Sequence, residues 1–409
     1  MSARAVVALG VGQCVNWGVL YYAFAVLLVP VGDQLGTTTP VVAGAFSLAL
    51  VASAALAPTI GRWSDRGHAP LLMQVGGLTA AALLAIWALV PGVVVTYVVW
   101  LGLGLCMAAV LYEPAFAIVG RAHADSTVRL RALATVTVIG GLASAVFLPA
   151  SALLVRAFGW RSAVGVLACA LAASTLVLRV VAFCFPPTLP PAERRRLPPV
   201  SIRGARGVHP AFVVALLGFS AASLAGAGLT SNLVPALGAR DLSPMSAAGI
   251  GGALGAMQLP GRILLMSGAI ATSASRLALV SFMVQATGLL ALGAAPSFAV
   301  LAGGLVVFAA GAGLTTLVRP HLVQTLIAVE HAGYYNGQLA RAQQLARAAG
   351  PLAVAWLGSL LGYGRVFVLL GIVLALLAAA LHGCLASSIV TPEPERSNHD
   401  ERQPAPVNG

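Results

Sequence analysis

Glu113, Arg262, Arg319, Arg341 and Arg347 each stand within an apolar segment of this 409-residue sequence. A charge near the centre of a bilayer-spanning helix costs about 2.5–3.5 kcal/mol on insertion scales, so it persists where it meets a partner or a wet cavity. Glu113 lies in "LYEPAFAIVG", residues 111–120, and Arg319 in "LVRPHLVQTL", residues 317–326, each directly before a proline. A carboxylate in such a place can carry a proton, balance charge on a solute, or neutralise an arginine. A guanidinium is a planar fork of donors that grips a carboxylate with two bonds. These residue types therefore permit proton transfer and anion binding, with a structural Glu113–Arg319 pair as the alternative.

A second cluster is polar and aromatic: Gln13, Asn16, Trp17, Tyr21 and Tyr22. Positions 13, 17 and 21 share one helical face. Asn16, Trp17 and Tyr21 suit contact with a ligand, by hydrogen bonds that orient it and rings that supply area. Helix packing and an interfacial aromatic belt are the competing reading. Arg347 lies too deep in its segment to reach the interface easily. Arg341 reads as interfacial, and His321 as a packed polar residue or a proton-transfer aid to Arg319.

The elements that position these groups follow from composition. The chain is 59% hydrophobic and 8% charged, about a third of the charge density of a soluble domain. That excludes an ordinary soluble fold. Twelve apolar segments, each near the ~20 residues that cross a bilayer, cover about 5–30, 40–62, 70–90, 93–119, 130–155, 161–184, 211–236, 244–270, 276–295, 297–322, 334–361 and 365–386. Helices are expected, because strands in lipid need a closed barrel. The net charge of +12 comes with arginine and no lysine. These arginines are scattered between apolar segments, which reads as loop charge rather than a nucleic-acid surface.

The chain is expected to divide into a six-helix bundle at 1–185, a Pro/Arg-rich linker at 186–210, a second bundle at 211–388 and a disordered tail at 389–409. The linker's arginines place it, and with it both termini, on the cytoplasmic side of a bacterial inner membrane. The five cysteines show no paired or CxxC spacing, and neither a metal nor a cofactor is expected.

The halves repeat. "LLVPVGDQLGTTTP" at 27–40 parallels "NLVPALGARDLSP" at 232–244. "LYEPAFAIVGRAH" parallels "LVRPHLVQTLIAVEH", which puts Glu113 and Arg319 at matching points of segments four and ten. Glu113 lies eight residues before Arg121 and Arg319 eleven before Glu330, depths of about 12 and 16 Å at the helical rise.

Twelve segments, the repeat and "GRWSDRGHAP" at 61–70 together resemble the major facilitator superfamily over residues 5–386. Gly61, Asp65 and Arg66 fit that family's loop motif after the second span; His68, Ala69 and Pro70 stand where it carries more basic residues. Within the family, "LPGRILLMSG" at 259–268 is similar to the monocarboxylate and oxalate branch, with Arg262 and Gly268 matching and Thr272 where that branch has aspartate. The drug-antiporter features of spans four and five are missing.

This resemblance implies two bundles around a central cavity lined by spans one, four, seven and ten. It puts Arg262 at the branch's substrate arginine. Arg262, Arg319 and Arg347 against Glu113 leave such a cavity net positive, so the expected solute is a small organic anion, a monocarboxylate moved by symport with a proton, bound by Arg262, Arg347, Arg319, Asn16, Trp17 and Tyr21, with Glu113 as the proton-coupling group. It also implies a gate at Gly61, Asp65 and Arg66, where the carboxylate would sit at an incoming helix N-terminus. A monomer in the lipid bilayer is expected. Efflux of drug-like or toxic compounds, and a membrane sensor without transport, are the alternative functions.

Overall fold

The computed structural model describes residues 1–90, 92–123, 125–182, 203–204, 207–208, 210–238, 257–258, 273–327 and 331–387. The first span is a composite. Helix α1 (Ala3–Trp17), a π-helical turn (Gly18–Tyr22) and α2 (Ala23–Leu35) run end to end. Gly36 stops α2 in the left-handed region at φ 60°, the usual glycine C-terminus.

Four helices follow in the order α3 (Thr39–Asp65), α4 (Ala69–Leu89), α5 (Val93–Val110) and α6 (Tyr112–Ala122). The first half closes with α7 (Ser126–Gly141) and α8 (Ala143–Ala182). Between α8 and the next helix, β1 (Arg203–Gly204) pairs antiparallel with β2 (Gly207–Val208). The second half contributes α9 (Pro210–Gly238), α10 (Ala274–Ala294), α11 (Phe298–Leu326), α12 (Ala332–Leu361) and α13 (Tyr363–Ser387).

Among the described residues, nine stretches are long and apolar enough to cross a membrane. The sequence predicts twelve, and three local reasons account for the difference. Predicted spans five and six are two helices that follow each other without a loop, parted where Gly159 leaves helical geometry at φ 75°, and so fall within one continuous stretch. Helix α12 is full length at 30 residues but carries Asn336, Gln338, Gln343, Gln344 and two arginines, so its mean hydropathy is low. Predicted span eight, with Arg262, lies outside the described residues.

Short-range chemistry sets the helix starts. Asp125 Oδ1 accepts from the Thr127 and Val128 N–H groups at 2.8 Å each, capping α7. Ser273 and Ser297 cap α10 and α11 in the same way. Interior packing then joins the halves. One apolar cluster stays in the first half around Trp87, Trp100 and Leu103. The other joins Phe116 and Leu133 of the first half to Phe219, Phe282 and Leu322 of the second. The contact between halves is richest where α3 runs along α12.

Candidate functional site

Pro114 has no N–H, so the Val110 carbonyl four residues earlier loses its helical partner. The chain answers with a break: Leu111 leaves helical geometry at φ −75°, ψ −159°, and α6 starts anew at Tyr112. Gln13 Nε2 and Asn16 Nδ2, both from α1, donate to the Val110 carbonyl at 2.8 and 2.9 Å. In lipid an unsatisfied carbonyl costs several kcal/mol, so this pair of amides sustains the break. Glu113 falls in the first turn of the new helix, where the dipole favours a carboxylate.

Across the interface, Arg319 of α11 is 8% exposed. Its Nη2 donates to Glu113 Oε1 at 2.5 Å, and its Nη1 donates to Gln343 Oε1 at 2.5 Å. Asn336 Nδ2 of α12 donates to Glu113 Oε2 at 2.8 Å. Gln343 Nε2 in turn donates to Ser223 Oγ of α9 at 3.1 Å. One carboxylate of the first half is thus held directly by two helices of the second, and Arg319 and Gln343 link it onward to a third, α9. The Glu113–Arg319 pair is a contact in space, as the matched repeat positions allow.

Arg347 is half-buried, and its side chain makes no hydrogen bond or ion pair with a described residue. It follows Gln343 by one helical turn, on the same side of α12. Arg341 is exposed.

The span-one cluster packs as rings. Trp17 lies 5.3 Å from Tyr21 and 5.2 Å from Tyr112, centroid to centroid, and Tyr21 lies 5.2 Å from Phe46. The π-helical turn begins directly after Trp17, a feature frequent where helices serve function. Trp17 Nε1 is buried with no partner among the described residues. Asn16 is turned to the Val110 carbonyl instead.

At one end of the bundle, Asp65 closes α3 and reaches the other half. Its Oδ1 accepts from the Gly333 N–H at 2.6 Å and its Oδ2 from the Tyr334 N–H at 2.8 Å. These are first-turn donors of α12, whose own N-cap residue, His331, supplies no side-chain bond. The cap therefore comes from another helix. Arg121 Nη1 donates to the Asp65 carbonyl, and the Arg62 guanidinium lies 5.5 Å from the Tyr334 ring centre. Gly61 packs against the Gly333 carbonyl so closely that a Cβ would collide with it. The Arg66 side chain is exposed and makes no hydrogen bond or ion pair with a described residue; Arg121 and Arg62 stand at the contact in its place.

The family model of the Major Facilitator Superfamily matches residues 9–351. The chain belongs to this superfamily. It is accordingly a multi-pass membrane protein of a transporter family. No curated protein sequence matches it. Among solved structures, the crystal structure of the human organic anion transporter MFSD10 (TETRAN) matches at a TM-score of 0.69 and 20% identity. That match covers 93% of this chain and 100% of the other, and it shows the fold.

In this superfamily member the structure adds Tyr112, Asn336 and Gln343, which touch Trp17, Glu113 and Arg319 in turn, and Ser223, which holds Gln343. A signal for two of them exists: positions 336, 343 and 347 fall on one face of the most polar span, at spacings of seven and four. His321 is 4% exposed, its Nδ1 without a partner among the described residues, and it takes no part in the Glu113 network.

Proposed function

We propose that this superfamily member moves a small organic anion, a monocarboxylate, together with a proton by alternating access. The observation that carries the reading is the direct Glu113–Arg319 pair between the halves. Glu113 already answers Arg319, so Arg347, one turn beyond Gln343, is left as positive charge without a bonded partner among the described residues. Arg262, by resemblance to the substrate arginine of the monocarboxylate branch, adds a second positive group. An anion complements such a wall, and its carboxylate fits the guanidinium fork.

The pair also supplies a coupling rule. Protonating Glu113 removes the charge that holds Arg319 and frees its donors for a solute carboxylate. Proton and anion then favour each other's binding, and the coupling is reciprocal. Movement of both in one direction follows. Asp65, on the cytoplasmic side by the arginine distribution, acts as the gate: its two bonds to α12 and the Gly61–Gly333 packing hold that side closed. The protein works as a monomer in the bacterial inner membrane.

The test is uptake of labelled monocarboxylates of two to four carbons into proteoliposomes under an inward proton gradient. Uptake is expected in wild type and to fall at least tenfold in Arg347→Ala and Arg262→Ala. Absence of gradient-driven uptake, or uptake indifferent to both substitutions, rejects the substrate class. The Trp17–Tyr21–Tyr112 rings favour a second reading, export of aromatic or drug-like compounds. A deletion strain sensitive to such compounds, with normal carboxylate uptake, supports that one instead.

A further inference from the structure

Between the Glu113–Arg319 pair and the Asp65 cap lies a cavity of about 20 Å³, the room of one water molecule. Ser64, Glu113, Gln324 and Asn336 line it, together with Asp65 and Arg121. Three of these residues carry a buried polar atom with no partner among the described residues: Ser64 Oγ, Gln324 Oε1 and Asn336 Oδ1. Ser64 is 1% exposed and Asn336 5%.

The amide orientations are set from their other ends. Asn336 Nδ2 donates to Glu113, and Gln324 Nε2 donates to the Phe116 carbonyl at 3.3 Å, so each amide oxygen is the end left over. A buried polar atom without a partner costs about 1–3 kcal/mol, and here the three residues that carry such atoms all line one cavity. Their valences match a single water. The Ser64 hydroxyl donates to it, it donates to the two amide oxygens, and one lone pair remains.

We propose that this chamber binds one water that carries the proton between Glu113 and the solution on the Asp65 side. The inference rests on the reading of Glu113 as the protonatable group. In the release step the Glu113 O–H bond breaks as the chamber water's lone pair takes the proton. One of that water's own O–H bonds then breaks, and its proton passes to a solvent water. A neutral chamber water and a Glu113 carboxylate remain, and the carboxylate takes Arg319 in the pairing observed here.

The chamber wall is built from both halves. Ser64 and Asp65 end α3, Gly120 and Arg121 end α6, and Ala332 and Gly333 begin α12. The same separation that breaks the Asp65 cap therefore opens the chamber to solvent. Proton release is thereby confined to one conformation. The charged groups around Glu113 are Arg319 from α11, with Arg121 and Asp65 on the chamber wall and His331 acting electrostatically on Asp65.

Ala117 lines the chamber one turn beyond Glu113, so Ala117→Val fills it without removing a polar group. The experiment compares two modes of full-length protein in liposomes, with labelled pyruvate as probe. Proton-gradient-driven uptake requires Glu113 to release its proton; pyruvate–pyruvate exchange does not. In Ala117→Val, driven uptake is expected to fall at least tenfold while exchange stays within twofold of wild type. Ser64→Ala, which keeps the space and removes one donor, is expected to lower driven uptake several-fold and leave exchange unchanged.

Equal loss of both modes in both variants, or no loss in either variant, overturns the chamber's role. So does a high-resolution structure of the closed state without solvent density at Ser64 Oγ, Gln324 Oε1 and Asn336 Oδ1. Wild type that exchanges pyruvate but ignores the proton gradient overturns the reading of Glu113 itself, a separate result from failure of the chamber.

Discussion

Glu113 and Arg319 stand 206 residues apart in sequence, and their side chains meet at 2.5 Å across the interface between the halves. Both are largely shielded, at 16% and 10% side-chain exposure. Removing one partner of a buried pair costs about 3–5 kcal/mol, because the other charge is left without compensation. Glu113→Ala and Arg319→Ala are each expected to lower thermal stability in detergent by that order. The exchange Glu113→Arg with Arg319→Glu is expected to restore most of the stability and none of the proton-driven transport. Recovery of transport along with stability would show that the pair only neutralises charge.

Asp65 carries the α12 cap as a charged acceptor with two bonds. Asp65→Asn keeps one acceptor and loses the charge. A lost cap of this kind is worth about 0.5–2 kcal/mol, enough to shift a two-state opening equilibrium several-fold. Spin labels at the exposed positions Arg66 and His331 report the separation. The long-distance population is expected to grow several-fold in Asp65→Asn; an unchanged distribution rejects Asp65 as a gate.

Gly61 makes a sharper test, because its closest neighbour is a backbone carbonyl that cannot rotate away. Gly61→Val bars the close approach to Gly333 and leaves the separated arrangement free of the clash. The short-distance population between the same labels is expected to fall by more than tenfold, about 1.4 kcal/mol or more. Overall fold, followed by circular dichroism, is expected to persist. A closed population like that of wild type would mean that the helices pass each other with room to spare.

Gln13 and Asn16 share one acceptor, the Val110 carbonyl. Either amide alone still satisfies it. Gln13→Leu and Asn16→Leu are therefore expected to be mild singly, and the double variant to lose about 1–3 kcal/mol beyond their sum. Thermal unfolding of the cycle measures that coupling. In a Pro114→Ala background, where the missing N–H returns, the coupling is expected to shrink. Simple additivity in both backgrounds rejects the account of the break.

Charge in apolar text made Glu113 and Arg319 visible in the sequence, since a buried ion is too costly to be casual. Asp65 was legible through the resemblance of Gly61, Asp65 and Arg66 to the superfamily's loop motif. Asn336 and Gln343 were harder to see. Neutral amides carry no such penalty, and in α12 they read merely as a less apolar span. Gln13 and Asn16 looked like ligand contacts because their acceptor is a backbone carbonyl, which no residue type announces. Arg66 and Arg121 share a membrane side by sequence alone, but only side-chain placement shows that Arg121 is the one touching Asp65. Predicted spans five and six were legible as two helices, and Gly159 at φ 75° parts them.

The borrowed cap on α12 has a consequence for how the chain is made. Asp65 leaves the ribosome some 268 residues before Gly333, so the helix that needs the carboxylate is synthesised long after the carboxylate is in the membrane. Until α12 docks on α3, two of its first-turn amides depend on lipid headgroups or water. Completion of that helix is thus tied to assembly of the two bundles, and a second bundle produced without the first would have a frayed beginning to α12.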